Sequence, residues 1–257
     1  MNFAIERFIV PALLLGLRVA GLMTFAPFFA STGISVSFRA GLTVALTVLL
    51  YPVCGPHIAF VSLSPSGWVR IVLSEAVLGF LMGLCVQLVF EGAQLAGQIV
   101  GIQMGFSLVN IIDPQTQVDT TVVSAFNQTV VLLIFLQLGV HRWILRALAL
   151  SFDLAPVGSL HLSTSSMRGF FHAAAAMWVI GVQIAAPILI ATIIVDLILN
   201  LLSKASPQLP VLFFTVSIKM LLGVALLVGA LAFWPGFFQS RFTDAVSFTD
   251  HFLRVVR

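Results

Sequence analysis

Five ionisable side chains sit inside runs that are otherwise apolar: Arg18, Glu75, Glu91, Asp196 and Lys219. A charge at the centre of a membrane span costs on the order of 3 kcal/mol on insertion scales, so each needs a partner or a wet cavity. Two chemistries would use such residues. A proton or ion relay needs carboxylates at successive depths, and only Glu75, Glu91 and Asp196 are available for it. A structural ion pair needs two opposite charges at matched positions. Asp196 and Lys219 lie at similar distances on either side of the turn SKASPQLP, 203–210, so a bridge across a helical hairpin is the favoured reading.

Bond-making chemistry finds no support. The chain has no nucleophile, base and acid in a recognisable arrangement. The glycines of EGAQLAGQ, 91–98, are not followed by Lys-Ser/Thr and not preceded by a strand, so they do not form a phosphate cradle. The five histidines and the two cysteines, Cys54 and Cys85, are isolated from one another, without metal-type spacing or a disulfide framework. The expectation is a protein that is not an enzyme and uses no cofactor or metal.

The most regular polar pattern is a stripe. Gln87, Glu91, Gln94 and Gln98 are spaced four, three and four apart, and Gly101 and Gly105 continue them, so on a helix they share one narrow face. Polar side chains do not face lipid economically, and glycines at four-residue spacing allow a second backbone to come close. Taken alone, the stripe reads as an ordinary helix–helix seam. The sharper alternative is a face lining a conduit or a subunit interface.

The elements that must position these residues are apolar helices. The chain has 257 residues, 60% hydrophobic and 8% charged, with a mean hydropathy of +1.14. A soluble domain is about a quarter charged, so this composition is that of an integral membrane protein. The net charge of +3 comes from scattered basic residues, which argues against nucleic-acid binding. Hydropathy and charge-free intervals predict helices near 8–30, 40–54, 69–90, 121–139, 170–199 and 211–234, with 91–112 as a seventh candidate. The first run is too long for a cleaved leader and is expected to be retained. With six spans, eight arginines (Arg7, Arg70, Arg142, Arg146, Arg168, Arg241, Arg254 and Arg257) face Arg39 and Lys204, which puts both termini in the cytoplasm. At the C-terminal end Phe238, Phe242, Ala245, Phe252 and Val256 share a face, as in an amphipathic helix lying on a membrane or a partner.

One segment is unlike the rest. GIQMGFSLVNIIDPQ, 101–115, begins as a span, carries Gly, Gln, Met, Phe and Asn, and reaches Asp113-Pro114, where a helix is expected to stop. Two functional classes suit such a chain: a small-solute transporter or channel, and a subunit of a larger membrane assembly. A transporter would show paired broken helices in repeated halves. A single interrupted segment favours an assembly or pore subunit.

At this segment the sequence resembles a known family. Ala96, Gly97, Gly101, Gln103, Met104, Gly105, Ser107, Asp113, Pro114 and Gln115 match an AGxxxGxQMGxSxxxxxDPQ-like motif of the FliR family, the membrane export-gate subunit of the bacterial flagellar type III secretion system. APILIATIIVDLILNLLSKASPQLPVLFFTVSIKMLLG, 186–223, resembles the family's second signature, and RVAGLMTFAPFF, 18–29, a third. One departure is Pro210, where relatives commonly carry Asn; it stiffens the turn and removes a backbone donor.

The resemblance implies an all-α integral membrane protein built of helical hairpins. A FliP-like part, 1–168, would precede a FliQ-like hairpin, 169–236, and an amphipathic tail, 237–257. It implies a single copy in a hetero-oligomeric ring with FliP-like and FliQ-like membrane subunits, beside an FlhB-like subunit, in the bacterial inner membrane at the flagellar basal body. Its cargo would be unfolded flagellar polypeptide, and it would touch membrane lipid and no nucleic acid. The equivalent subunit of a virulence-type injectisome is the alternative, and a solute channel the outsider. The family's loop after Gln-Met-Gly implies a channel plug over 105–122. Gln103, Met104, Gly105 and Phe106 would lie at its start, Val109, Ile111 and Ile112 would be apolar stoppers, and Asp113-Pro114 would follow.

Overall fold

In so apolar a chain the backbone N–H and C=O groups have few partners but one another, and a helix satisfies them within one segment. The computed structural model describes residues 2–27, 35–55, 65–106, 121–160, 163–205 and 211–255. Every regular element there is helical: α1 (Asn2–Phe25), α2 (Val36–Cys54), α3 (Pro65–Gln103), α4 (Val122–Gln137), α5 (Val140–Leu154), α6 (Thr164–Ala205), α7 (Val211–Ala230) and α8 (Trp234–Val255). This is the all-α membrane protein that the composition required.

The boundaries differ from the sequence reading in four places. The segment 69–90 and the part of 91–112 up to Gln103 belong to one 39-residue helix, α3, because no proline after Pro65 interrupts its hydrogen-bond ladder. That helix ends at Gln103, well before Asp113-Pro114. Gly105 takes φ 90°. The Gly105 N–H donates to Ile102 O and the Phe106 N–H to Gly101 O, both at 3.0 Å, the paired bonds of a Schellman stop. The stop signal is therefore Gly105, and Asp113-Pro114 lies outside the described residues. Helix α5 was not expected: Arg142, Arg146 and Asp153 lower its hydropathy, yet Ile144, Ala147, Leu148, Ser151 and Phe152 bury one face. Finally, α6 starts at Thr164, where Ser163 and Ser166 bond each other's backbone N–H at 3.2 and 3.0 Å as a reciprocal cap.

By length and composition the described helices supply three to five candidate spans beside a shorter apolar helix over Ile9–Phe25 in α1, where six were expected. Among the described residues α2, α3 and α6 are long and apolar enough to cross a membrane. The count rises to five if each of two bent pairs, α4 with α5 and α7 with α8, is one span; both pairs bend by 65°. At about 1.5 Å per residue, α3 and α6 run to roughly 58 and 63 Å, twice a hydrocarbon core of about 30 Å. The charge count that put both termini in the cytoplasm rests on six crossings, more than the three to five candidate spans among the described residues.

The chain forms two compact units, one of residues 1–88, 135–174 and 241–257, the other of 89–134 and 175–240. In the first, α1 packs on α2 and lies backbone to backbone on α3. A methyl group at Gly83 would come 2.8 Å from the Leu22 carbonyl oxygen, and one at Gly79 would overlap the carbonyl of Arg18. That proximity lets Arg18 reach Glu75. Both side chains are fully buried, with Arg18 Nη2 2.6 Å from Glu75 Oε2. Arg18 Nε donates to the same oxygen at 2.7 Å, Nη1 to Ser151 Oγ at 2.8 Å and Nη2 to Ala155 O at 3.1 Å. The Phe152 ring lies 4.1 Å from the guanidinium carbon, and the Gly158 N–H donates to Glu75 Oε1 at 3.2 Å.

The C-terminal helix also differs from expectation. Phe242, Phe252 and Leu253 of α8 are buried, with the Phe242 ring 5.6 Å from that of Phe135. The apolar face expected to meet a membrane or a partner is covered by the chain's own helices.

Because each charge of the Arg18–Glu75 pair is buried, removing one strands the other, at a typical cost of about 3–5 kcal/mol. Arg18→Leu or Glu75→Leu alone should sharply reduce the folded yield and melting temperature of the detergent-purified protein. The double Arg18→Leu/Glu75→Leu chain should recover most of the loss. A double variant as unstable as the sum of the singles would show that the two charges act independently.

Candidate functional site

The second unit gathers the residues around the Gln-Met-Gly segment. Gly97 and Gly101, one turn apart on α3, face the start of α4: Thr121 side-chain atoms lie 2.6–2.9 Å from where a methyl group on Gly101 would sit, and one on Gly97 would overlap Ser124 Cα. At that separation the polar side chains of α4 reach the carbonyl oxygens of α3. Thr121 Oγ1 donates to Gly97 O at 3.1 Å, Ser124 Oγ to Gln94 O at 3.0 Å and Asn127 Nδ2 to Ala93 O at 3.3 Å. Gln128 Nε2 donates to Gln94 Oε1 at 2.9 Å. The seam is therefore closed by hydrogen bonds as well as by small residues, the combination that joins helices where water is scarce.

Of the stripe, Gln94 and Gly101 belong to this seam. Glu91 and Gln98 are half-buried in the same unit, and the half-buried Gln87 lies in the first unit. A further close approach, between Gly92 and Gly181, sets α3 against α6: a methyl group on Gly92 would lie 2.8 Å from Ile180 and 2.9 Å from Met177 O.

Gln103 turns away from the stripe, about 160° round the helix from Gly101 in the shorter sense, and meets the α6–α7 hairpin. Its Nε2 donates to Asp196 Oδ2 at 3.3 Å, and Lys219 Nζ donates to the same oxygen at 3.0 Å. The Lys219 and Asp196 side chains are 14% and 32% exposed, so water shares part of the pair. Met104, 1% exposed, lies against Gly223, where a methyl group would sit 2.6 Å from the Met104 sulfur. The end of α3 is thus fixed to α6 by a polar contact, through Gln103 and Asp196, and to α7 by an apolar one, through Met104 and Gly223. Gly105 and Phe106 follow, half-buried. Val109, Ile111, Ile112, Asp113 and Pro114 lie outside the described residues.

The sequence reading did not single out Thr121, Ser124, Asn127 and Gln128. Their spacing of three, three and one on an apolar helix was the available signal: it places four hydrogen-bonding groups on one face. The arrangement holds helices together rather than making or breaking bonds. Among the described residues, no three His, Cys, Asp or Glu side chains are grouped as a metal site.

Comparison with known proteins places these motifs in context. The family model described as "Bacterial export proteins, family 1" matches residues 9–245. The flagellar biosynthetic protein FliR of Escherichia coli (strain K12) is 24% identical over 232 residues, covering 89% of this chain and 87% of that protein. FliR of Bacillus subtilis (strain 168) is 27% identical over 237 residues, covering 89% and 88%. The surface presentation of antigens protein SpaR of Shigella sonnei is 27% identical over 216 residues, covering 80% and 79%.

The Gln103–Asp196–Lys219 contact predicts a charge-reversal pattern. Asp196→Lys and Lys219→Asp should each lower the yield of intact protein, through like-charge repulsion, and the doubly reversed chain should restore it. Equal, normal yields for both singles would show that the pair contributes nothing, as partly exposed pairs often do at about 0–1 kcal/mol.

Proposed function

The chain belongs to the bacterial export proteins, family 1, and on that premise we propose that it is the FliR-type subunit of a flagellar type III export gate in the bacterial inner membrane. It would pass unfolded flagellar proteins across that membrane and do no chemistry itself. The observation that carries the reading is the match over residues 9–245, together with FliR relatives aligned along about nine-tenths of their length. SpaR, matched over 80% of this chain, favours a second reading, the corresponding subunit of an injectisome.

In the flagellar reading the chain joins FliP-like and FliQ-like subunits in a ring, beside an FlhB-like subunit. Residues 1–168 take the place of a FliP-like protomer, and the 169–236 hairpin that of a FliQ-like one. Helices longer than a bilayer is thick suit a ring whose hairpins lean around a pore better than a set of simple crossings. Residues 105–122 would form the plug, with Phe106, Val109, Ile111 and Ile112 as its apolar stoppers, since an apolar constriction excludes water and ions by dewetting. Gln103 and Met104, fixed to the hairpin, would anchor one end of that plug. Met104 would also lend a soft, adaptable side chain to its base.

In-frame removal of the gene should abolish swimming and leave flagellar filament and hook proteins inside the cell, with both restored by the gene in trans. A null strain that swims but no longer secretes virulence-type cargo would replace the flagellar reading with the injectisome one. Deleting residues 107–120 should raise ion leakage while the complex still assembles. A tight membrane around an assembled deletion complex would remove the plug.

A further inference from the structure

We propose that the first unit holds a binding site for one anionic glycerophospholipid, with acyl methylenes in an apolar pocket between α1 and α5 and the phosphate on Arg142 and Arg146 at its rim. The pocket encloses about 150 Å³ and is lined by Leu22 and Met23 of α1, Ala26 just past its end, Phe135 of α4, and Ile144 and Leu145 of α5. The His141 ring is the polar element of its wall. An apolar cavity of about that size stays dry and accepts a six-carbon ring, so a short run of acyl-chain methylenes fits the volume.

Helix geometry puts the charges on the stripe next to the residues that line the pocket. At about 100° per residue, His141, Ile144 and Leu145 occupy the face turned to the pocket, and Arg142 and Arg146 the adjoining stripe, one turn apart. Both arginines are exposed. Among the described residues neither forms an ion pair within 4.0 Å. The Arg142 guanidinium lies over Gly139, at the bend that follows Phe135. The acidic residue on the same stripe, Asp153, is about 10 Å farther along the axis at ~1.5 Å per residue. Trp143, half-buried, stands beside them. Trp and Arg next to an apolar opening are the residue types that settle at a membrane–water boundary.

Charge complementarity selects the occupant. Arginine's planar fork matches the oxygens of a phosphate, and two exposed arginines with no ion-pair partner within 4.0 Å among the described residues favour a headgroup with net negative charge over a zwitterion. An apolar side chain from a partner subunit would fill the pocket and leave both guanidinium groups uncompensated. The site uses none of the residues that anchor the end of α3, so it stands or falls separately from the export-gate reading.

Native mass spectrometry of the full chain, purified in detergent with the subunits that accompany it, tests the site by titration with dioleoyl phosphatidylglycerol or dioleoyl phosphatidylcholine. The wild type should retain phosphatidylglycerol about tenfold better, and Arg142→Gln/Arg146→Gln should erase that preference at unchanged melting temperature. Ala26→Phe, which fills the pocket, should lower phosphatidylglycerol retention with both arginines in place; Ala26→Leu serves if the larger side chain prevents folding. Equal retention of the two lipids by the wild type, or a preference that survives either the arginine or the pocket variant, would overturn the proposal. A photoreactive residue at position 145 that captures a protein subunit instead of lipid would overturn it in favour of a partner side chain.

Discussion

The buried pair Arg18–Glu75 is the contact on which the first unit depends, and close backbone approach makes it possible. Neither charge is reachable by water, so every donor and acceptor must be satisfied within a few residues of α1, α3 and α5. Five hydrogen-bonding and ionic contacts converge there from Glu75, Ser151, Ala155 and Gly158. They can converge only because Gly79 and Gly83 let the backbones of α1 and α3 touch. A methyl group at either glycine would push the helices apart and lengthen the ion pair at the same time.

The second unit meets the same demand with neutral groups. Its seam between α3 and α4 binds Thr121, Ser124 and Asn127 to carbonyl oxygens already engaged in the helix. Such contacts are worth on the order of 0.6 kcal/mol each, far below the cost of stranding a buried charge. They suit a seam that must be specific without being rigid. In both units glycines on α3 set the separation, and the neighbouring helix then supplies either a charge or a hydroxyl.

Much of this was legible in the chain, and the misses share a cause. The spacing of Asp196 and Lys219 about the 203–210 turn led to a pair that lies at 3.0 Å, because two helices leaving one short turn bring equidistant positions together. The glycine periodicity indicated a close helix contact and could not say which helix would fill it. Hydropathy failed where a helix is buried on one side only: α5 holds its arginines outward and its apolar face inward, so its average is unremarkable. For α8 the amphipathic pattern was read correctly and its partner was not, because periodicity reports that a face is apolar and not what covers it. The end of α3 was misplaced because proline is the more conspicuous breaker. Gly105, at positive φ with both closing hydrogen bonds, ends the helix first.

The two ion pairs that touch α3 differ in what breaking them costs. Breaking the Arg18–Glu75 pair leaves a stranded charge, at about 3–5 kcal/mol. The Asp196–Lys219 pair is partly solvated, and an exposed pair is worth about 0–1 kcal/mol; Gln103 adds a 3.3 Å bond to the same oxygen. Loss of that contact exposes three groups that water can satisfy, so the barrier to parting is low. Met104 against Gly223 and Gly101 against Thr121 then hold the helix end in place, and a flexible thioether on a residue without a side chain is an adaptable contact. Within the first unit α1 is locked to α3 by charges that cannot separate cheaply. The Gln-Met-Gly end is held by contacts that can, and it immediately precedes the one segment whose sequence departs from an ordinary span.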